Sequence, residues 1–306
     1  MCVRIIGTGS YIPKKVITND DLANKIDTSD EWITTRTGIK KRHIAEDMRT
    51  SEMATIACKE AISNSGITAN DIDVIIVATS SPDYAFPNTA ALIQRNIGAT
   101  NAACFDISVA CSGFIYAYSI ANAYIKSGMY KNILLVGAEI MSKQVDWNDR
   151  SVCVLFGDGA GAVVVTRDDD NLSEVTVRSN GNGADCLISG KDNIYMDGQE
   201  VFKFAVKTVP QSISEVLSMA NCEASDIKFF VLHQANKRII EAISKRFKAD
   251  ISKFPMNLSE YGNTSAASIP ILLDELNRTG KLLRKDKIVI SGFGAGLSYG
   301  SIVVEW

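Results

Sequence analysis

Apolar residues fall along the chain in two kinds of run, short β-branched blocks and longer stretches with helical spacing, and these predict strands and helices in alternation. Strands are expected at Val3–Gly7, Val74–Thr79, Ile133–Val136, Ala162–Thr166, Phe229–Leu232, Ile288–Ser291 and Ser301–Glu305. VIIVAT and FFVL are apolar nearly throughout, the pattern of strands covered on both faces. Helices are expected at Asn19–Lys25, Ser51–Ser63 (closed near Gly66), Thr89–Ile97, Val209–Ala220, Asn236–Phe247, and through Leu272, Leu273 and Leu276 to Gly280. The longest apolar helix follows Cys111, with Phe114, Ala117, Tyr118, Ala121 and Ile125 on one face and Lys126 and Gly128 closing it. Thr28–Ile44 reads as a polar loop region, Gly181–Ser189 and Tyr261–Ser265 as loops, and Gly292–Gly296 as a glycine-rich turn; Phe156–Gly161 leads into the strand at Ala162.

The most polar interruption, Arg167–Glu174 (RDDDNLSE), is the candidate boundary between a half at 1–170 and a half at 171–306. ILLVGAE followed by GDGAGAVVV in the first half resembles IVISGFG followed by GLSYGSIVV in the second. This weak self-similarity suggests a duplicated βαβ unit with mixed, mostly parallel sheets covered by helices. Sites in such sheets lie at the carboxyl ends of strands, where Cys111 and His233 both fall.

Composition narrows the class. With 306 residues, 46% of them hydrophobic, the chain can bury a large core, and a net charge of −3 argues against general nucleic-acid binding. The N-terminal apolar run is too short for a signal peptide, and no stretch suits a bilayer; Ser119, Asn122 and Lys126 interrupt even the helix after Cys111. Seven scattered cysteines without a C-x-x-C pair suit a reducing compartment and speak against disulfides or a zinc site. The expectation is a soluble cytoplasmic protein.

Cys111 falls at or next to a helix N-terminus, where unpaired N–H groups favour an anion by roughly 0.3–1 kcal/mol. A thiolate there is a nucleophile; the competing reading is a buried, inert cysteine packing as a small hydrophobe. Of the two histidines, His43 lies in the basic stretch KKRHI and reads as solvated. His233 comes straight off a buried strand, and by position a core histidine and a functional one are equal readings. Asn263, between Gly262 and Thr264, would by itself be an ordinary turn or cap residue.

Taken together, ACSGF at Cys111, HQANKR from His233, YGNTSAAS around Asn263 and GFGAGLSYG near the end resemble β-ketoacyl-acyl-carrier-protein synthase III. TSDEWITTRTGIKKRHI, VDWNDRSVCVLFGDGAGA and IIGTGSYIP extend the resemblance over nearly the whole chain. It implies a thiolase-like, five-layered αβαβα fold, a homodimer and a Cys111–His233–Asn263 triad. The implied reaction condenses an acyl-CoA primer, held on Cys111, with malonyl-acyl carrier protein, loses CO₂, and initiates fatty-acid synthesis. No cofactor is implied, since acyl-CoA is a substrate. The resemblance further implies an oxyanion hole from the N–H groups of Cys111 and Ala295. It places CoA on Thr28, Trp32, Arg36, Arg150, Asn236 and Arg238, and Phe86 across the dimer interface at the acyl pocket. The carrier protein is expected on Gln234, Ala235, Asn236, Lys237 and Arg238, at the start of a basic helix.

Bottom-up, CO₂ departure supplies the carbanion, so a neutral imidazole and a carboxamide suffice to hold the enolate oxygen. Biosynthetic thiolases add a second cysteine in the C-terminal glycine-rich loop, and no cysteine follows Cys222 here. Elongating ketosynthases use two histidines, and Asn263 stands in the second slot. A homologue priming a specialised polyketide or quinolone pathway remains open, and so, less favoured because Cys111 is present, does a silent partner subunit. Ala295 replaces the middle glycine of the usual triplet, which bears on pocket shape.

Overall fold

In the computed structural model, which describes residues 2–189 and 193–306, the strands collect chiefly into two mixed sheets. The first holds β1 (Cys2–Tyr11), β2 (Val74–Ala78), β3 (Ala103–Ile107), β4 (Asn132–Ile140) and β5 (Asp158–Asp168), in the order β1-β5-β4-β2-β3. The second holds β6 (Ser173–Ser179), β7 (Phe229–Leu232), β8 (Lys287–Gly294) and β9 (Ser298–Glu305), in the order β7-β8-β9-β6. The series β1-β5-β4-β2 and β6-β9-β8-β7 run through the same sequence of ladders: antiparallel, antiparallel, parallel. The two similar sequence stretches are therefore β4–β5 and β8–β9. The sheets are partly rather than mostly parallel, because each of these pairs turns back without the crossover helix a parallel connection needs.

Among the described residues seven helices are eight residues or longer: α1 (Asp30–Thr37), α2 (Thr50–Ser65), α3 (Thr89–Ile97), α4 (Gly113–Lys126), α5 (Gly198–Met219), α6 (Lys237–Phe247) and α7 (Ser268–Arg278). α2 and α3 cover the outer face of the first sheet, α4 and α7 lie between the sheets, and α5 with α6 closes the far side. The result is αβαβα. Phe114 and Tyr118 of α4 and Leu272 and Leu276 of α7 fill the central layer against Ile76 and Ile290. Fully burying such a side chain contributes about 1.5–3 kcal/mol, so this layer fixes how the two sheets face each other.

Three local expectations change. Within Thr28–Ile44, residues 30–37 are helical, because Ser29 caps the Trp32 N–H at 3.1 Å and Gly38 closes the turn at φ 81°. Lys41–Ile44 then pairs with Lys15–Thr18. The glycines read as lead-in or turn continue the sheets: β5 starts at Asp158 and β8 runs through Gly294. A Cβ on Gly161 would lie 2.7 Å from the Ile271 nitrogen, so the missing side chain lets α7 pack on the sheet. α5 begins at Gly198, capped by Asp197, and carries Pro210 within it.

Candidate active site

The two central helices start side by side. From β3 the chain passes through a 3₁₀ turn, Ala110–Ser112, into α4, and from the loop after Tyr261 through a 3₁₀ turn, Ser265–Ala267, into α7; the two turns touch. Ala110 and Ser265 sit at φ 45° and 50°, a left-handed conformation costing roughly 1–2 kcal/mol for an L-residue. Beside them a cavity of about 490 Å³ is lined by Cys111, His233 and Asn263, with Phe156, Phe293 and Gly294 among its walls.

Asn263 is held by its backbone: its N–H donates to Leu155 O at 2.8 Å, and its carbonyl accepts from Gly157 at 3.1 Å. Its side-chain oxygen accepts the Ser265 N–H at 2.8 Å, so the amide NH₂ is the group left to offer the cavity. His233 leaves β7 with its N–H on Ser291 O at 2.9 Å and is 3% exposed. Its Nδ1 lies 2.7 Å from Ser268 Oγ, which also accepts the Gln234 N–H at 3.4 Å. In the tautomer whose Nδ1 accepts the Ser268 proton, Nε2–H is the donor left to the cavity. Burial lowers the imidazole to about 3, so it is neutral at pH 7.

Cys111 differs from the sequence expectation of a thiolate. Burial, opposed by a hydrogen bond with Ser265 and reinforced by the nearby Glu139, pushes it up to about 12. A helix terminus worth about 0.3–1 kcal/mol does not offset that desolvation. The resting group is a thiol, donating to Ser265 Oγ at 3.4 Å.

Arg36, Ala235, Asn236 and Arg238 line the same cavity. Asn236 caps α6 through the Arg238 N–H at 2.8 Å and donates to Arg36 O at 3.1 Å. Trp32, Thr28, Arg150, Phe86, Ala295 and Lys237 lie outside the lining. The Trp32 ring carries both the Arg36 and the Arg150 guanidinium, 4.5 Å and 4.8 Å from its centroid. Arg150 also donates to Asp27 O at 2.7 Å. Among the described residues the buried Thr28 hydroxyl has no hydrogen-bond partner, and Phe86 is 86% exposed. Ala295 occupies the β8–β9 turn, its carbonyl accepting Ser298 Oγ, which pairs with Ser112 Oγ at 2.7 Å. Gln234, expected at the carrier surface, is 1% exposed. Its amide is spent on Leu232 O and the Asn257 N–H, so it braces the strand end and is not free for a partner.

Two residues here went unread in the sequence, Ser265 and Glu139. The available signal for Glu139 was a carboxylate inside the otherwise apolar run ILLVGAEI. Close fit around the cysteine also yields an expected result. A Cβ on Gly294 would lie 2.8 Å from the Cys111 nitrogen and 3.0 Å from that of Ser112. Both are backbone atoms of the turn that carries Cys111. Under the acyl-carrying role that the sequence resemblance implies for Cys111, Gly294→Ala should slow acyl transfer to it by about 10²-fold, as displacements near 1 Å do. Stopped-flow release of CoA measures it, and a wild-type rate would mean the turn yields freely.

Comparison with known proteins gives the family of the chain. Residues 105–181 match the family profile 3-oxoacyl-[acyl-carrier-protein (ACP)] synthase III, and residues 217–306 match its C-terminal profile. The β-ketoacyl-[acyl-carrier-protein] synthase III of Clostridium acetobutylicum is 47% identical over 99% of this chain and 98% of its own. The crystal structure of 3-oxoacyl-[acyl-carrier-protein] synthase III from Aquifex aeolicus VF5 has a TM-score of 0.98 at 46% identity, covering 99% of this chain and 100% of that one. The priming β-ketosynthase from the R1128 polyketide biosynthetic pathway has a TM-score of 0.95 at 36% identity, covering 99% and 96%. The fold is thiolase-like, and the chain belongs to the 3-oxoacyl-[acyl-carrier-protein] synthase III family of acyl-transferring condensing enzymes.

Proposed function

We propose that this protein condenses an acyl-CoA primer with malonyl-acyl carrier protein, releasing CO₂ and CoA and giving 3-oxoacyl-acyl carrier protein, the first step of fatty-acid synthesis. The observation that carries the reading is one cavity uniting Cys111 with a neutral His233 and the free amide of Asn263. Cys111 attacks the primer thioester and keeps the acyl group, its oxyanion held by the N–H groups of Cys111 and Ala295. His233 Nε2–H and the Asn263 NH₂ then hold the enolate oxygen formed as malonyl loses CO₂. The reaction needs no cofactor beyond its substrates. CoA lies along Arg36, Asn236 and Arg238, with the Thr28 hydroxyl gaining a partner. For the adenine to stack between Trp32 and Arg150, Arg150 leaves the ring and its Asp27 contacts. The protein acts in the cytoplasm as a homodimer of chains with halves at 1–170 and 171–306; the edge strand β3 and the exposed Phe86 favour a second copy there. The test incubates purified protein with malonyl-acyl carrier protein and a panel of acyl-CoAs and weighs the products by mass spectrometry. Absence of any 3-oxoacyl product overturns the assignment. A second reading, priming of a polyketide pathway, draws on the 36% identical R1128 enzyme and is told apart by which primers and carriers are used.

The carrier protein docks on α6, where Lys237, Arg238, Lys245 and Arg246 face a single acid, Glu241. Ala235 and Asn236 lead into that helix, and the partner is acidic. Lys237→Glu with Arg246→Glu should raise KM for malonyl-acyl carrier protein about tenfold while acyl-CoA labelling continues, and added salt should mimic the change. Unchanged KM in both tests would make the helix an ordinary solvated face.

A further inference from the structure

Glu139 ends β4 fully buried, and its bonding partners are all hydroxyls and backbone amides. Oε2 accepts from Ser81 Oγ at 2.7 Å and from the Ser80 N–H at 3.0 Å; Oε1 accepts from Ser265 Oγ at 3.0 Å. No cation is among these partners. Ser81 Oγ already accepts the Ile140 N–H, which commits its own proton to Glu139. Ser265 Oγ is placed in the same way, taking the Cys111 S–H and giving its proton to Glu139. A continuous hydrogen-bond chain thus runs from Sγ to a carboxylate. An imidazole whose Nδ1 accepts from Ser268 keeps its hydrogen on Nε2 and cannot take that proton there.

We propose that Glu139, acting through Ser265, takes the Cys111 proton during acylation and returns it when Cys111 is released after condensation. The proposal rests on Cys111 being the acylated nucleophile. In the first step the S–H bond breaks, the Sγ–acyl bond forms, and the thioester C–S bond breaks. The proton moves to Ser265 Oγ as the Ser265 proton moves to Glu139, and the departing CoA thiolate is protonated by solvent. In the second step carbon–carbon bond formation expels Sγ, and Glu139 gives the proton back along the same path. Burial, which raises the carboxyl above its ordinary value, makes it a competent holder of that proton.

Glu139 touches no substrate, so the test must separate proton transfer from mere positioning. Single-turnover acylation would be measured from pH 6.5 to 9.5 on wild type, Glu139→Gln and Ser265→Gly; glycine suits φ 50° at residue 265. At pH 7 both variants should acylate about 10²-fold more slowly. The deficit should shrink as pH rises, because hydroxide then forms the thiolate directly. His233 is neutral across this range. Contacts to Glu139 from the Thr79–Ser81 segment and from the Ser265–Ala267 turn come from hydroxyls and amides, and among the described residues the cavity's other charged walls, Arg36, Lys203 and Arg238, are cations. CO₂ release from malonyl-acyl carrier protein should stay near wild type. A deficit constant with pH would make Glu139 a structural brace, and no deficit would remove it from the path; either overturns the proposal. Should Glu139→Gln fail to fold, Ser265→Gly decides alone. Absence of an acyl adduct on the wild type would instead fail the nucleophile assignment on which the proposal rests.

Discussion

Cys111→Ala should carry no acyl adduct after incubation with acyl-CoA, whereas the wild-type chain should gain one acyl mass. Seven cysteines compete for that label, and only Cys111 lines the cavity. Cys58, Cys153 and Cys222 are buried, and burial pushes Cys104 and Cys153 up to about 11. Cys111 is itself raised, so high acidity is not what singles it out. It is singled out by a proton path through Ser265 and by Gly294, whose bare Cα lets the glycine-rich turn close on the Cys111 N–H. Condensation in the mutant should drop to background, since a missing nucleophile cannot be replaced by its helpers. Slow CO₂ release from malonyl-acyl carrier protein should persist, because His233 and Asn263 are intact. Intact-protein mass and labelled CO₂ are the readouts. An adduct that survives on the mutant would place the nucleophile elsewhere.

Where backbone preference and burial agree, the sequence is read nearly to the residue. Phe229–Leu232 and Thr89–Ile97 stand as expected, one a β-branched and aromatic block, the other capped by Asn88 and closed by Gly98. Reading fails where a third element supplies the reason. DEWITTRT has no apolar stripe, so α1 depends on its caps rather than on periodicity. The glycines of β5 and β8 look like turns because their strand role exists only against the central helices. The apolar face suggested a helix beginning at Val209, yet α5 starts eleven residues earlier, at Gly198 behind the Asp197 cap. The residues that converge from β7, the Tyr261 loop and the Cys111 turn were named only through the family resemblance of their motifs, since by type and position His233 was an even reading and Asn263 an ordinary turn or cap residue. The Glu139–Ser265 link was not legible, since serine and glutamate at those positions acquire meaning only when β4 and the 3₁₀ turn meet. The acidity of Cys111 was misjudged for a related reason: a helix terminus is visible in sequence, and desolvation is not.

The roles of the two helpers should separate kinetically. Asn263→Ala should still take up an acyl group from acyl-CoA, because its amide is not on the path from Sγ to Glu139. Its loss removes one donor to the enolate oxygen, and condensation should fall by about 10²–10³-fold. The substitution also releases the Ser265 N–H, bonded at 2.8 Å to the Asn263 side chain, so a modest slowing of acylation, several-fold rather than hundreds, belongs to the expectation. His233→Ala should lose condensation to a similar degree, as it removes the other donor. Acylation should survive here too: burial lowers the imidazole to about 3, which makes it a weak base, and with Nδ1 accepting from Ser268 its Nε2 already carries a hydrogen. The measurement pairs single-turnover acylation from radiolabelled acyl-CoA with CO₂ release from labelled malonyl-acyl carrier protein. If Asn263→Ala releases CO₂ at the wild-type rate yet fails to acylate, the division of labour is reversed. If His233→Ala alone abolishes acylation, the imidazole is the base for Cys111, and Ser265 with Glu139 merely shapes its turn.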